Sequence, residues 1–208
     1  LRTPLSVMQV QLDLYHSTPH PGNDADTLQT LKMVTEQNGR LSKMVKILLD
    51  MSELQTVGRD ETIAVDALVD EVLVDLEPLA QEKEIKLIGN CNDTTMVGSD
   101  ILIYRMVYNL VENAIKYNHF GGQVTVTAYR KGKNICLSVE DTGSGIPAEL
   151  KERIFEPFFR VDKSRSRQLG GVGLGLALVR EIVRVHDGRI TVQSSPSGGT
   201  IFEVVFTQ

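Results

Sequence analysis

Apolar residues recur at helical spacing through the first quarter of the chain. Leu1, Leu5, Met8, Leu12 and Tyr15 are separated alternately by four and three positions, which puts them on one stripe of a helix. Ser17 to Asp26 ends the stripe with two prolines and a glycine. A second stripe follows through Leu31, Val34, Asn38, Leu41, Val45 and Leu48. The pattern predicts two amphipathic helices joined by a polar break, a helical hairpin. Two helices cannot enclose a core, so the hairpin is expected to pair with a second copy as a dimeric four-helix bundle. Packing on the rest of its own chain is the alternative.

The period changes after Gln55-Thr56-Val57-Gly58. Short β-like runs follow at Ile85–Ile88, Gln123–Tyr129, Ile135–Val139, Arg189–Gln193 and Thr200–Phe206. They alternate with helical stretches at Asp66–Gln81, Asp100–Tyr117 and Leu174–His186. Arg130–Asn134 and Ser195–Gly199 read as hairpin turns between paired strands. Paired strands with helices predict an α+β fold, its sheet in part antiparallel and covered on one face. The predicted division is therefore a hairpin over 1–57 and an α/β sandwich over 58–208.

Composition narrows the function. The 208 residues carry a net charge of -5, and the pI is near 5.4, which argues against a nucleic-acid-coating surface. There is no Trp, and six Phe and five Tyr make aromatic stacking platforms scarce. No run approaches the roughly 20 apolar residues that span a bilayer. Cys91 and Cys136 lie far apart without metal-type spacing, which supports neither a disulfide framework nor a zinc site and favours a reducing compartment. Leu1 is neither a start residue nor part of a leader, so the chain reads as a piece of something longer.

Three motifs carry chemistry. Gly170-Gly171-Val172-Gly173-Leu174-Gly175-Leu176 places four glycines at the mouth of a predicted helix. Glycines let backbone N–H groups approach a phosphate, and the helix N-terminus adds partial positive charge. A purely steric turn would use the same residues. It is not a Walker loop, since no Lys-Ser/Thr follows. Asp141-Thr142-Gly143-Ser144-Gly145-Ile146 follows a predicted strand, where an aspartate could accept a hydrogen bond from an exocyclic amine such as adenine's. Asn109, Asn113, Lys116 and Tyr117 share one helix face beside apolar neighbours. An asparagine oxygen suits Mg²⁺, which takes few protein ligands and keeps phosphates and water. Between the glycine motifs, Phe155–Arg167 runs from apolar anchors into a basic stretch, as a mobile lid over an anion would. A solvated loop is the plainer reading.

The order Asn-x-x-x-Asn, Asp-x-Gly-x-Gly, Phe-x-Pro-Phe, Gly-x-Gly-x-Gly resembles the ATP-binding domain of bacterial sensor histidine kinases, which shares a superfamily with gyrase and Hsp90. Leu1-Arg2-Thr3-Pro4-Leu5 likewise resembles the end of that family's phosphoacceptor motif, whose histidine would lie two positions before Leu1. The four histidines present, His16, His20, His119 and His186, do not occupy that motif. The resemblance implies that the 1–57 hairpin is a dimerisation and phosphotransfer domain and that ATP with Mg²⁺ binds to 58–208. Asp141 would meet adenine, with Gly143, Gly145, Ile146 and Tyr117 around it. Asn113 would hold the metal. Asn109, Lys116, Arg160 and Arg165 would meet phosphates, and Gly171, Gly173, Leu174 and Gly175 would form the lid-side nest. Glu112 would orient the accepting imidazole or take its proton, and Thr3 would assist hydrolysis of the regulator's phosphoaspartate. The implied partners are a second copy and a response-regulator receiver domain, without nucleic acid. The implied location is a cytoplasmic domain of a protein anchored in the membrane only by upstream segments. A gyrase- or Hsp90-like ATPase, with Glu112 activating water, and a silent docking module are the alternatives.

Overall fold

The computed structural model describes Met8, Val10, Leu12, Asp13, Tyr15, Ser17 and residues 25–54, 56–161 and 173–207. Thr3, Arg165, Gly171, His16, His20 and residues 18–24 of the predicted hairpin break lie outside the described residues, as does most of the first predicted helix; its Met8, Leu12 and Tyr15 are helical, as are Ser17, Ala25 and Asp26 at the edges of the break.

The second apolar stripe forms helix α1 (Ala25–Glu53). Val34, Leu41 and Leu48, seven residues apart, are each about half exposed. Its far end is anchored differently. Leu54 is buried, and Ile47 and Met51 pack against the main core. The Arg59 guanidinium donates to Leu54 O at 3.2 Å.

The rest is a two-layer α+β sandwich. The strands are β1 (Glu61–Ala64), β2 (Lys86–Cys91), β3 (Thr95–Gly98), β4 (Gln123–Lys131), β5 (Asn134–Asp141), β6 (Arg189–Ser194) and β7 (Thr200–Thr207). The helices are α2 (Val65–Gln81), α3 (Asp100–Lys116) and α4 (Gly175–Val185). Five strands form a mixed sheet in the order β2-β4-β5-β7-β6, and β1 pairs with β3 alone. β2 runs parallel to β4, and the other pairs are antiparallel. Alternation decides which face is dry. Val124, Val126 and Ala128 of β4, Ile135, Leu137 and Val139 of β5, and Phe202, Val204 and Phe206 of β7 are buried. Against them lie the apolar stripes of the helices, including Leu76, Met106, Leu110 and Ile182.

All three predicted helices of this unit form within one residue at each end, and both hairpin turns form where predicted, the first shortened because β4 runs on to Lys131 and β5 begins at Asn134. The strands β1 and β3 were not predicted. Each spans four residues, too short for alternation to register. β2 extends three residues beyond its predicted end, because Gly89 and Asn90 are poor strand formers that pairing with β4 overrides. Cys91 and Cys136 are free thiols. Among the described residues no helix is long and apolar enough to cross a membrane.

Candidate functional site

Helix α3 carries the centre of the site. Its apolar side, from Leu102 to Ile115, is buried, so the remaining face must be polar and opens towards α4. Asn109 Nδ2 donates to Arg105 O at 2.7 Å, which fixes its amide and turns Oδ1 towards Gly175. A Cβ at Gly175 would stand 2.7 Å from Asn109 Oδ1 and 4.0 Å from Asn113 Nδ2. Both asparagines therefore stand over the first residue of α4, and glycine keeps the space between them open. Among the described residues no side chain caps that helix N-terminus, so its amides point at the same space. One turn further, Glu112 and Lys116 are paired at 2.7 Å. The end of α3 is held by Lys83, whose Nζ donates to Ile115 O at 3.1 Å and Lys116 O at 2.6 Å. A cation here also complements the helix dipole.

Beyond α3 the chain enters a tight corner with the end of β5. Asp141 is buried, and its Oδ1 accepts from Gly143 N at 2.8 Å and Thr200 N at 3.2 Å. Burial holds this carboxyl above the usual carboxylate range, while those hydrogen bonds pull the other way. Gly143 is obligatory by contact, because a Cβ would lie 2.6 Å from Tyr117 O. Buried Asn118 ties the corner together. Its Nδ2 donates to Gln123 O at 3.0 Å, and its Oδ1 accepts from Thr142 Oγ1 at 3.1 Å and His119 N at 3.0 Å. Tyr117 is exposed at the rim, and Ile146 packs against the core.

The phenylalanine run closes the other end. Phe155 is buried with its ring edge-on to Phe202, and the Arg153 guanidinium lies 4.4 Å over the Phe159 ring. Phe158 adopts φ +65°, uncommon for a bulky residue. Its N–H donates to Gly173 O at 2.8 Å. Gly173 has φ +75°, and a Cβ there would meet Phe159 O at 2.7 Å. Leu174 is fully buried behind this contact. Among the described residues, Arg160 Nε and Nη2 are buried without a hydrogen-bond partner. A guanidinium so placed is costly until an acceptor reaches it.

The predicted residues thus gather along α3 and its two flanks. Asn109, Asn113 and Gly175 face one another. Asp141, Gly143 and Gly145 form one corner with the end of α3, and Gly173 and Arg160 lie with the phenylalanine run at the other. Sequence reasoning missed Asn118, Thr142, Gly199, Thr200 and Lys83. Only Gly198-Gly199-Thr200 left a signal, a glycine pair read as a hairpin turn. His186 also gained a role: its Nε2 accepts from Ser99 N at 3.0 Å while Nδ1 bonds Ile182 O at 2.8 Å, so it caps the start of α3 from the end of α4.

Known proteins share this arrangement. The family model described as "Histidine kinase-, DNA gyrase B-, and HSP90-like ATPase" matches residues 98–208. The sensor-like histidine kinase SenX3 of Mycolicibacterium smegmatis is 35% identical over 97% of this chain and 53% of its own length. The chain thus spans about half the length of that curated relative. Among solved structures, the catalytic domain of histidine kinase ThkA superposes with a TM-score of 0.65 at 27% identity, covering 72% of this chain and 96% of that one. The mycobacterial sensor histidine kinase MprB gives 0.61 at 27% identity, covering 71% and 97%. Family model, relatives and fold agree: the chain belongs to the histidine kinase-, DNA gyrase B- and HSP90-like ATPase family, among the sensor histidine kinases.

Proposed function

We propose that this chain is the kinase core of a two-component sensor, binding ATP with Mg²⁺ and passing the γ-phosphoryl group to a histidine just upstream of Leu1. The observation that carries this is the pair Asn109 and Asn113 held over the uncapped, glycine-opened start of α4. The donors fit magnesium. The two side-chain amides offer neutral hard oxygens, and the space beside them would be closed by any Cβ at residue 175. Asn113 would hold the ion, and bound there it would neutralise charge on the phosphates.

The remaining roles belong to the chain itself. Asp141 receives the adenine amine, with Gly143 and Gly145 giving the base room and Ile146 and Tyr117 flanking it. Arg160 meets a phosphate oxygen, which supplies the acceptor its buried nitrogens lack. Asn109, Lys116 and Arg165 join it, and the 171–175 nest closes the lid side with Leu174 as its anchor. Glu112 orients the accepting imidazole or takes its proton. Its carboxylate lies 2.7 Å from the Lys116 ammonium, one helical turn on.

Residues 1–57 serve as the dimerisation and phosphotransfer hairpin and 58–208 as the ATP-binding domain. The open stripe Val34, Leu41 and Leu48 supports pairing with a second copy. The phosphoryl group then passes to an aspartate of a response regulator, whose dephosphorylation Thr3 assists. These residues form a cytoplasmic domain of a protein anchored in the membrane through upstream segments.

The test is incubation with γ-labelled ATP. A chain extended upstream by His-Glu should acquire acid-labile phosphate, and the 208 residues alone should bind ATP without labelling. Phosphohistidine on His119 or His186 would overturn the acceptor, and phosphate release without labelling would favour an ATPase. In the extended chain, Thr3→Ala should slow regulator dephosphorylation while autophosphorylation persists.

A further inference from the structure

The turn between β6 and β7 is built more heavily than a hairpin needs. Ser195 lies in it yet is only 5% exposed. Its hydroxyl donates to Glu140 Oε1, accepts from Ser197 N at 3.1 Å and lies 2.6 Å from Ser197 Oγ. Its backbone closes the turn as well, with Ser195 N donating to Gly199 O at 2.9 Å and Gly198 N to Ser195 O at 3.0 Å. Next to it, Lys151 Nζ donates to Ser194 Oγ at 3.0 Å. Backbone bonds alone suffice to make a hairpin. The surplus side-chain bond reaches β5, at the residue that precedes Asp141.

The same turn is what touches Asp141. Thr200 N holds Oδ1. A Cβ at Gly199 would stand 2.0 Å from Asp141 O, and one at Gly145 would stand 2.8 Å from Gly198 O. The turn therefore presses on both ends of the Asp141–Gly145 loop. Oδ1 takes two protein N–H groups and the Thr200 hydroxyl also bonds this carboxylate, yet two oxygens with about four lone-pair sites leave acceptor capacity for a ligand. Hydrogen bonds weaken steeply with misalignment, so the seat of the turn decides how well that oxygen aims.

We infer that Ser195, bridged to Glu140, is a positioning residue for nucleobase recognition: it seats the 195–199 turn against β5 so that Asp141 presents its remaining acceptor capacity to an exocyclic amine. The inference rests on the ATP reading and deepens it. Ser195 does not touch the base; it acts through Gly199 and Thr200 on Asp141.

The experiment is a cycle between protein and ligand. The whole chain is titrated calorimetrically, with Mg²⁺, against ATP and against purine riboside triphosphate, which lacks only the amine. Ser195→Ala should weaken ATP about fivefold, the worth of one ordinary hydrogen bond, and leave the analogue within about twofold. Ser195→Thr, which keeps the hydroxyl, should restore ATP binding. Glu140→Ala removes the partner from the half-exposed sheet side and should reproduce the amine-restricted loss even if Ser195→Ala fails to fold. Equal loss on both nucleotides would reduce the turn to a structural support and overturn the inference, as would unchanged ATP affinity in either alanine variant. A wild-type chain that binds ATP no better than the analogue would instead sink the assignment of Asp141 to adenine.

Discussion

The two ends of the cleft along α3 are built on opposite principles. At the Asp141 end the polar network closes within the protein: Oδ1 has two backbone donors, Asn118 bonds on both sides of its amide, and Ser195 meets Glu140. At the other end the backbone of Phe158 sits in a strained region, and Arg160 buries nitrogens with no acceptor among the described residues. The first end is finished by folding, and the second is left short of an acceptor. A buried polar group stabilises only when paired. Damage at the first end should therefore cost stability and affinity together, whereas at the second the two should separate and even oppose each other.

The comparison is broken most directly at Gly199. Gly199→Ala forces a Cβ into Asp141 O and should lower unfolding free energy by about 3 kcal/mol, in the range of overpacked cores. Urea unfolding should show that loss with ATP binding abolished; a fully stable variant would mean that the turn yields. Next comes Asn113→Ala, on the cleft face between the two ends. It should weaken ATP with Mg²⁺ about tenfold or more, as for a hydrogen bond to a charged group, with little change in urea midpoint. Unchanged affinity would remove Asn113 from the metal.

Arg160→Met sharpens the contrast, because its signs differ. Without nucleotide the variant should be more stable by about 1 kcal/mol, since an unsatisfied buried group is gone. ATP affinity should fall in parallel. Loss of both stability and affinity would place Arg160 among the satisfied groups after all.

The smallest effect is a pH dependence at His186. Burial holds its pKa below the ordinary 6.5, with Arg59 adding to the depression and Asp187 and the Ile182 carbonyl opposing it. Below about pH 6.5 the unfolded chain therefore takes up more protons at this site than the fold, and stability declines as pH falls. Asp141 runs the other way. Its raised folded pKa means that the fold holds its proton more tightly, so this contribution is lost as pH rises through the carboxylate range. The two shifts have opposite signs, so the His186 variant separates them. Urea midpoints should fall between pH 7.5 and 5.5, and His186→Gln should flatten that slope.

Much of this was legible in the sequence, for identifiable reasons. α3 and α4 show because their apolar periods are strong and their ends are marked, Asp100 after a serine at one start and glycines at the other. The asparagine pair shows because spacing of four puts both on one face. What stayed hidden is held by distant pairing. Thr200 lies 59 residues from Asp141, and His186 lies 87 residues from the amide it caps. Neither has a local signature, since a buried histidine and a strand-start threonine are ordinary core and turn residues. β1 and β3 exist because each is the other's partner, a property that no single short run displays.

The Phe158–Gly173 hydrogen bond has a consequence for how this chain can vary. It joins two residues that both sit in the left-handed region, Phe158 at φ +65° and Gly173 at φ +75°. Any side chain at residue 173 would strain the backbone and meet Phe159 O. The pair can therefore drift only on the Phe158 side, where glycine would relax a conformation that phenylalanine strains.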